Sequence, residues 1–270
     1  LDEDVDMIAK PITAHALNGV YYRGGSFDAF NDPAKFGLFY HAALIIRRGD
    51  VKPAEKTLNI KPDNDLRMSN RHTWEMSAEK HRVETVLSGM TPEGDIVIGS
   101  DETFIAPDAL EVLSDTRELY RNLEKQFGWI DSPKTKAVYG FVGKEGAIRL
   151  NDATVEVKTD FATVAISSLD ENPITTSGNM LLTAVGRAEN TGMKYNEDRS
   201  QVLDVGHGPI RVEVIEAVIE IETDQRDLRV MSINPQGMIT GYMPSDYKDG
   251  VFRFEIGKEF QSMYYLIQRF

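Results

Sequence analysis

A mainly β protein is predicted: an antiparallel β-sandwich domain preceded by a short strand–helix unit. Three observations carry this. From about Asp95 onward the chain divides into ten short runs rich in Val, Ile, Thr and Phe, spaced by Gly, Pro, Asn and Asp, which is the composition of strands and turns. Little helical periodicity intervenes, so successive strands are expected to pair antiparallel. Between Lys10 and Asp50 the pattern differs, with an apolar run, a Gly-rich turn and then a segment bearing helix start and stop signals.

In chain order, Pro11 to Val20 reads as a buried strand broken by Arg23-Gly24-Gly25-Ser26. Asp32 suits an N-cap and Pro33 the first helical position, so a helix is expected over Ala34 to Arg48, ended by Gly49. Phe36, Leu38, Phe39, Ala42, Ala43, Leu44, Ile45 and Ile46 wrap most of its circumference, which predicts burial on more than one side. His41 lies within this apolar stretch and is expected to be a core histidine with satisfied nitrogens, not a ligand. Val51 to Gly89 is polar and mixed, a connector with a strand candidate at Glu55 to Lys61 and a helix at Trp74 to Leu87. The expected sandwich strands are Asp95–Gly99, Lys136–Val142, Thr154–Val157, Phe161–Ser167, Met180–Val185, Ile210–Val214, Ala217–Ile221, Leu228–Ile233, Val251–Ile256 and Met263–Gln268.

Composition narrows the function classes. The chain has 270 residues, 30 Lys+Arg against 43 Asp+Glu, and a formal charge of −13. With 41% hydrophobic and 27% charged residues it can bury a core, so disorder is a poor reading. That charge opposes phosphate backbones and anionic lipid, and no basic cluster with interleaved aromatics offsets it, so no nucleic-acid partner is expected. The longest apolar stretch, Leu38 to Ile46, falls far short of the roughly 20 residues that cross a bilayer, so no membrane partner is expected. With no Cys, disulfides, thiolate metal sites and thiol nucleophiles are excluded.

The motifs are weak. Gly186 to Gly192 and Gly206-His207-Gly208 fit neither nucleotide-binding pattern and read as loops. Asp2, Asp4 and Asp6 open like a calcium loop, but Met7 replaces the turn Gly and Thr13 the closing Glu. The five His residues lack zinc spacing, and no G-x-S-x-G elbow is present, so no metal and no cofactor are expected. Paired carboxylates suit glycoside hydrolysis, yet 43 carboxylates cannot nominate a pair by composition.

Several segments carry a resemblance. Gly24-Gly25-Ser26-Phe27 through Asn31-Asp32-Pro33 to Phe36, followed by His41 to Ala54 with Arg47-Arg48-Gly49-Asp50, resembles the end of the catalytic (β/α)8 barrel in large bacterial clan A glycoside hydrolases. Val112 to Leu119, Trp129 to Thr135, Phe161 to Asp170 and Leu181 to Met193 are similar to segments of the same group, the last to a β-rich region after the barrel. The resemblance covers most of Lys10 to Pro209.

It implies that 1–50 is the last strand and helix of a (β/α)8 barrel, 51–94 a connector and 95–270 an appended β-sandwich. The helix that is apolar all round then packs on barrel strands and on the accessory domain. In such barrels the acid/base follows strand four and the nucleophile strand seven; both would precede Leu1, so no catalytic residue is assigned and the chain alone is expected to be inactive. The implied partners are the N-terminal barrel portion, in the same polypeptide or a second chain, and a carbohydrate substrate. Sugar contacts are expected from Asn18, Tyr21 and Tyr22, at the end of the last barrel strand, where rings stack on sugar faces and the amide both donates and accepts. Interdomain packing is the alternative role for both tyrosines, and core filling the alternative to a sugar platform for Trp74 and Trp129. At the level of the chain, the alternative is a non-catalytic carbohydrate-binding or structural β-sandwich module.

Overall fold

A computed structural model describes residues 33–60, 71–86, 91, 96–98, 105–106 and 108–270. The first elements are a short helix α1 (Pro33–Phe36) and helix α2 (Phe39–Arg48). The single helix expected over Ala34 to Arg48 is therefore broken at Gly37-Leu38. There the Leu38 amide bonds the carbonyl of Lys35, three residues back, while Gly37 passes so close to its neighbours that an added Cβ would lie 2.6 Å from the Pro33 carbonyl and 3.0 Å from Met263. The expected stop is present: Gly49 adopts a left-handed conformation at φ 64°.

Next come β1 (Thr57–Ile60), helix α3 (Arg71–Lys80), β2 (Arg82–Thr85) and β3 (Ile96–Ile98). These strands form a parallel sheet in the order β2-β1-β3, with α3 between β1 and β2. Two expectations change here. The helix expected over Trp74 to Leu87 ends at Lys80, because Arg82 to Thr85 extends alongside β1, with Val83 opposite Leu58. The run at Asp95 to Gly99 does form a strand, but it pairs parallel to β1 and joins neither antiparallel sheet.

The rest of the described chain is antiparallel. Its strands are β4 (Glu111–Leu113), β5 (Leu119–Asn122), β6 (Phe127–Asp131), β7 (Thr135–Gly140), β8 (Ala147–Arg149), β9 (Ala153–Val157), β10 (Ala162–Ser168) and β11 (Asn179–Val185). They continue as β12 (Ala188–Thr191), β13 (Lys194–Tyr195), β14 (Val202–Asp204), β15 (His207–Val212) and β16 (Ala217–Glu222). The last are β17 (Leu228–Ile233), β18 (Ile239–Met243), β19 (Ser245–Lys248), β20 (Val251–Ile256) and β21 (Tyr264–Arg269).

A nine-stranded sheet has the order β18-β17-β21-β11-β10-β7-β6-β5-β4, and a five-stranded sheet the order β19-β20-β16-β9-β8. Both contribute to one apolar cluster. Val138, Val164, Leu182, Val230 and Tyr265 come from the larger sheet; Val155, Ile219, Phe252 and Phe254 come from the smaller. Alternation along each strand produces this: in β20, Phe252, Phe254 and Ile256 are buried while Arg253 and Glu255 are exposed. Each such Phe stabilises the fold by roughly 2–3 kcal/mol through burial. Between β11 and β16 the chain leaves both sheets in an excursion built from two-stranded ribbons, β12 with β15 and β13 with β14.

Candidate functional site

Helix α2 lies across the face of the nine-stranded sheet that is turned away from the shared core, and it is packed inside out. The side chains it turns toward the sheet follow helical spacing: His41, Leu44, Ile45 and Arg48 are buried or half-buried. On the opposite side Phe39, Tyr40 and Ile46 are exposed, at 57%, 52% and 80%, together with Phe36 of α1. A solvated surface helix normally shows the reverse pattern.

A chain of hydrogen bonds explains why the polar side faces in. Thr135 of β7 donates its hydroxyl to Asp50 at 2.8 Å. Its single proton is then committed, so the Ser167 hydroxyl of β10 donates to Thr135, at 2.8 Å. Ser167 must in turn accept from His41 Nδ1 at 2.8 Å, which leaves Nε2 to accept from Thr183 of β11 at 2.7 Å. The Asp50 carboxylate thus orients the whole relay and selects the neutral Nδ1–H tautomer of His41. Burial, at 3% exposure, pushes the His41 pKa down to about 4. His41 is the satisfied, buried histidine that its apolar surroundings in the sequence suggest.

Arg48 closes the helix end. Its guanidinium grips Asp50 through both carboxylate oxygens, at 2.9 and 2.6 Å, and donates to the carbonyls of Ser168 and Asp170 at 2.8 and 3.0 Å. A second junction holds the parallel unit. Asp115 accepts from the amides of Glu55 and Lys56 and pairs with His81 at 2.8 Å. Burial raises the Asp115 pKa, but these partners together outweigh it and hold the carboxyl below its ordinary value.

The residues expected to touch sugar, Asn18, Tyr21 and Tyr22, lie outside the described residues. So does the side chain of Trp74, which falls in α3. Trp129 is half-buried, stacks on Tyr120 at 5.3 Å between ring centres and packs against the shared core. The sequence reading missed Ser167 and Thr183 as partners of His41, and Thr135, Asp50 and Arg48 behind them in the same network. The available signal was the hydroxyl residues interrupting apolar strands at Ser167 and Thr183.

Among the described residues no group of three His, Asp or Glu side chains is arranged to hold a metal ion, and no helix is long and apolar enough to cross a membrane. Comparison with protein families, with curated proteins and with solved structures finds no match for this chain.

Proposed function

We propose that the chain is the C-terminal segment of a glycoside hydrolase acting on poly- or oligosaccharides, in which a β-sandwich supports a catalytic (β/α)8 barrel whose last helix is α2. The observation that carries this reading is the inside-out packing of α2. Its polar side is spent on the sheet, through His41 and Arg48, while Phe36, Phe39, Tyr40 and Ile46 remain exposed. An apolar stripe of this kind calls for a second apolar partner, and the helix that ends a barrel has one. The resemblance of Gly24 to Phe36 and His41 to Ala54 to the end of a clan A barrel points the same way. On this reading the catalytic carboxylates precede Leu1, and this chain supplies support and a wall of the cleft rather than the reacting groups.

The test is the polypeptide upstream of Leu1. The reading expects about 300 residues of alternating strand and helix, with a Glu after the fourth and the seventh strands, and hydrolysis by the extended protein but not by residues 1–270 alone. An upstream sequence of another class, or glycosidase activity of this chain by itself, overturns it. A free-standing carbohydrate-binding or structural module would instead be monodisperse without any partner on α2.

A further inference from the structure

The excursion between β11 and β16 lines a pocket of about 360 Å³, half open to solvent and at the lower end of the roughly 300–1,000 Å³ of small-molecule sites. Its walls include Arg187, Glu189, Asn190, Met193, Arg211 and Glu213. Neither sheet requires this space, since the shared core draws no side chain from these positions.

The charges in the wall alternate and cancel. Arg187 lies 3.8 Å from Glu213 and also pairs with Asp160, at 3.5 Å. Glu189 stands opposite Arg211 in the β12–β15 register and is paired with Arg199. A phosphate therefore meets no surplus of positive charge, and a divalent cation no surplus of negative charge. Guanidinium groups that donate and carboxylates that accept, set side by side, match a molecule whose neighbouring groups do both.

A second observation points to a missing partner. Asn190 is 2% exposed, and its Nδ2 donates to the Val205 carbonyl at 2.9 Å, which fixes the amide orientation. Its Oδ1 is then a buried acceptor with no hydrogen-bond partner, an uncommon and destabilising condition.

We propose that this cavity binds a neutral polyhydroxylated molecule of mono- or disaccharide size. Vicinal hydroxyls accept from Arg187 and Arg211 and donate to Glu189 and Glu213. A small shift of the Asn190 side chain brings its Oδ1, which no water-sized group reaches in this conformation, to one further hydroxyl. The thioether of Met193 offers an apolar surface to the C–H face of the ring. This site goes beyond the barrel assignment and stands without it, because every group it uses belongs to the excursion itself.

The test is a titration of the ¹⁵N-labelled chain with D-glucose, D-galactose, D-xylose and cellobiose, with inorganic phosphate and calcium chloride run in parallel. The expected result is a saturable shift, for at least one sugar, of amides in 187–193 and 205–213, with micromolar to millimolar affinity. Arg211→Ala, an exposed position, should weaken that affinity at least about tenfold while leaving the thermal melt unchanged. Asn190→Ala also removes the bond to Val205, so Glu189→Gln serves as the second variant and should weaken binding in the same direction. Absence of a saturable shift with every sugar up to about 50 mM, far weaker than specific recognition, overturns the proposal. So does a shift indifferent to Arg211→Ala and Glu189→Gln, or one produced by phosphate or calcium in place of sugar.

Discussion

At His41 a carboxylate two hydroxyls away decides which ring nitrogen carries the proton, and burial keeps the ring neutral. The folded state holds this histidine at a pKa of about 4 against an ordinary value of 6.5. Between those values the unfolded chain binds the proton more tightly, so the stability tied to the neutral ring is complete above pH 6.5 and is lost as pH falls through 4. The loss should approach about 3 kcal/mol. Urea midpoints measured from pH 7 to pH 4 should show it, and His41→Gln should flatten that part of the profile; an identical slope in both proteins would sink the relay. Thr135→Val removes the donor that orients the relay and leaves Asp50 and Ser167 each short of a bond, for an expected cost of about 1–3 kcal/mol by chemical denaturation. Lys136 is a sharper case. It is 1% exposed on β7, pairs with Asp131, and reaches Asp152 in the β8–β9 turn at 3.0 Å. Lys136→Met strands the Asp131 carboxylate and should cost about 3–5 kcal/mol in the same measurement.

Among the elements, α2 shows best what hydropathy can and cannot say. Gly49 marks its end legibly, because only glycine takes φ 64° without strain, and Gly49→Ala should cost about 1 kcal/mol. The orientation was not legible. With apolar residues over most of the circumference, the hydrophobic pattern did not name the side that meets the sheet, and the hydrogen bonds of His41 and Arg48 chose it. The exposed face leads to a prediction: Phe39→Asp with Ile46→Asp should leave the melting temperature of the isolated chain nearly unchanged while reducing its binding of a hydrophobic dye and its self-association. A destabilisation of several kcal/mol would mean that these side chains are buried. β4, β5 and β6 are short, carry polar residues such as Arg121 and Asn122, and sit next to each other at one end of the nine-stranded sheet. Their own sequences have too little alternation to declare a strand, so neighbouring strands stabilise them. Arg82 to Thr85 extends for the same reason, against β1.

In the whole molecule the two antiparallel sheets depend on each other, since one apolar cluster draws on both. Phe254→Ala, at 1% exposure, should therefore cost about 3–5 kcal/mol and lower the stability of both sheets in one transition, read by backbone and aromatic circular dichroism together. Separate transitions would show two independent layers. The mainly β class, the stop at Gly49 and the buried state of His41 could be read from the sequence alone, because alternation, glycine placement and local apolar context act over a few residues. Asp95 to Gly99 was recognisable as a strand, but its parallel place beside β1 was not. Strand order, the inside-out seat of α2 and the partners of Asp50 depend on which distant segments meet. Tertiary structure decided them because backbone ladders and buried hydroxyls gain their free energy from partners far along the chain, and no local pattern names those partners.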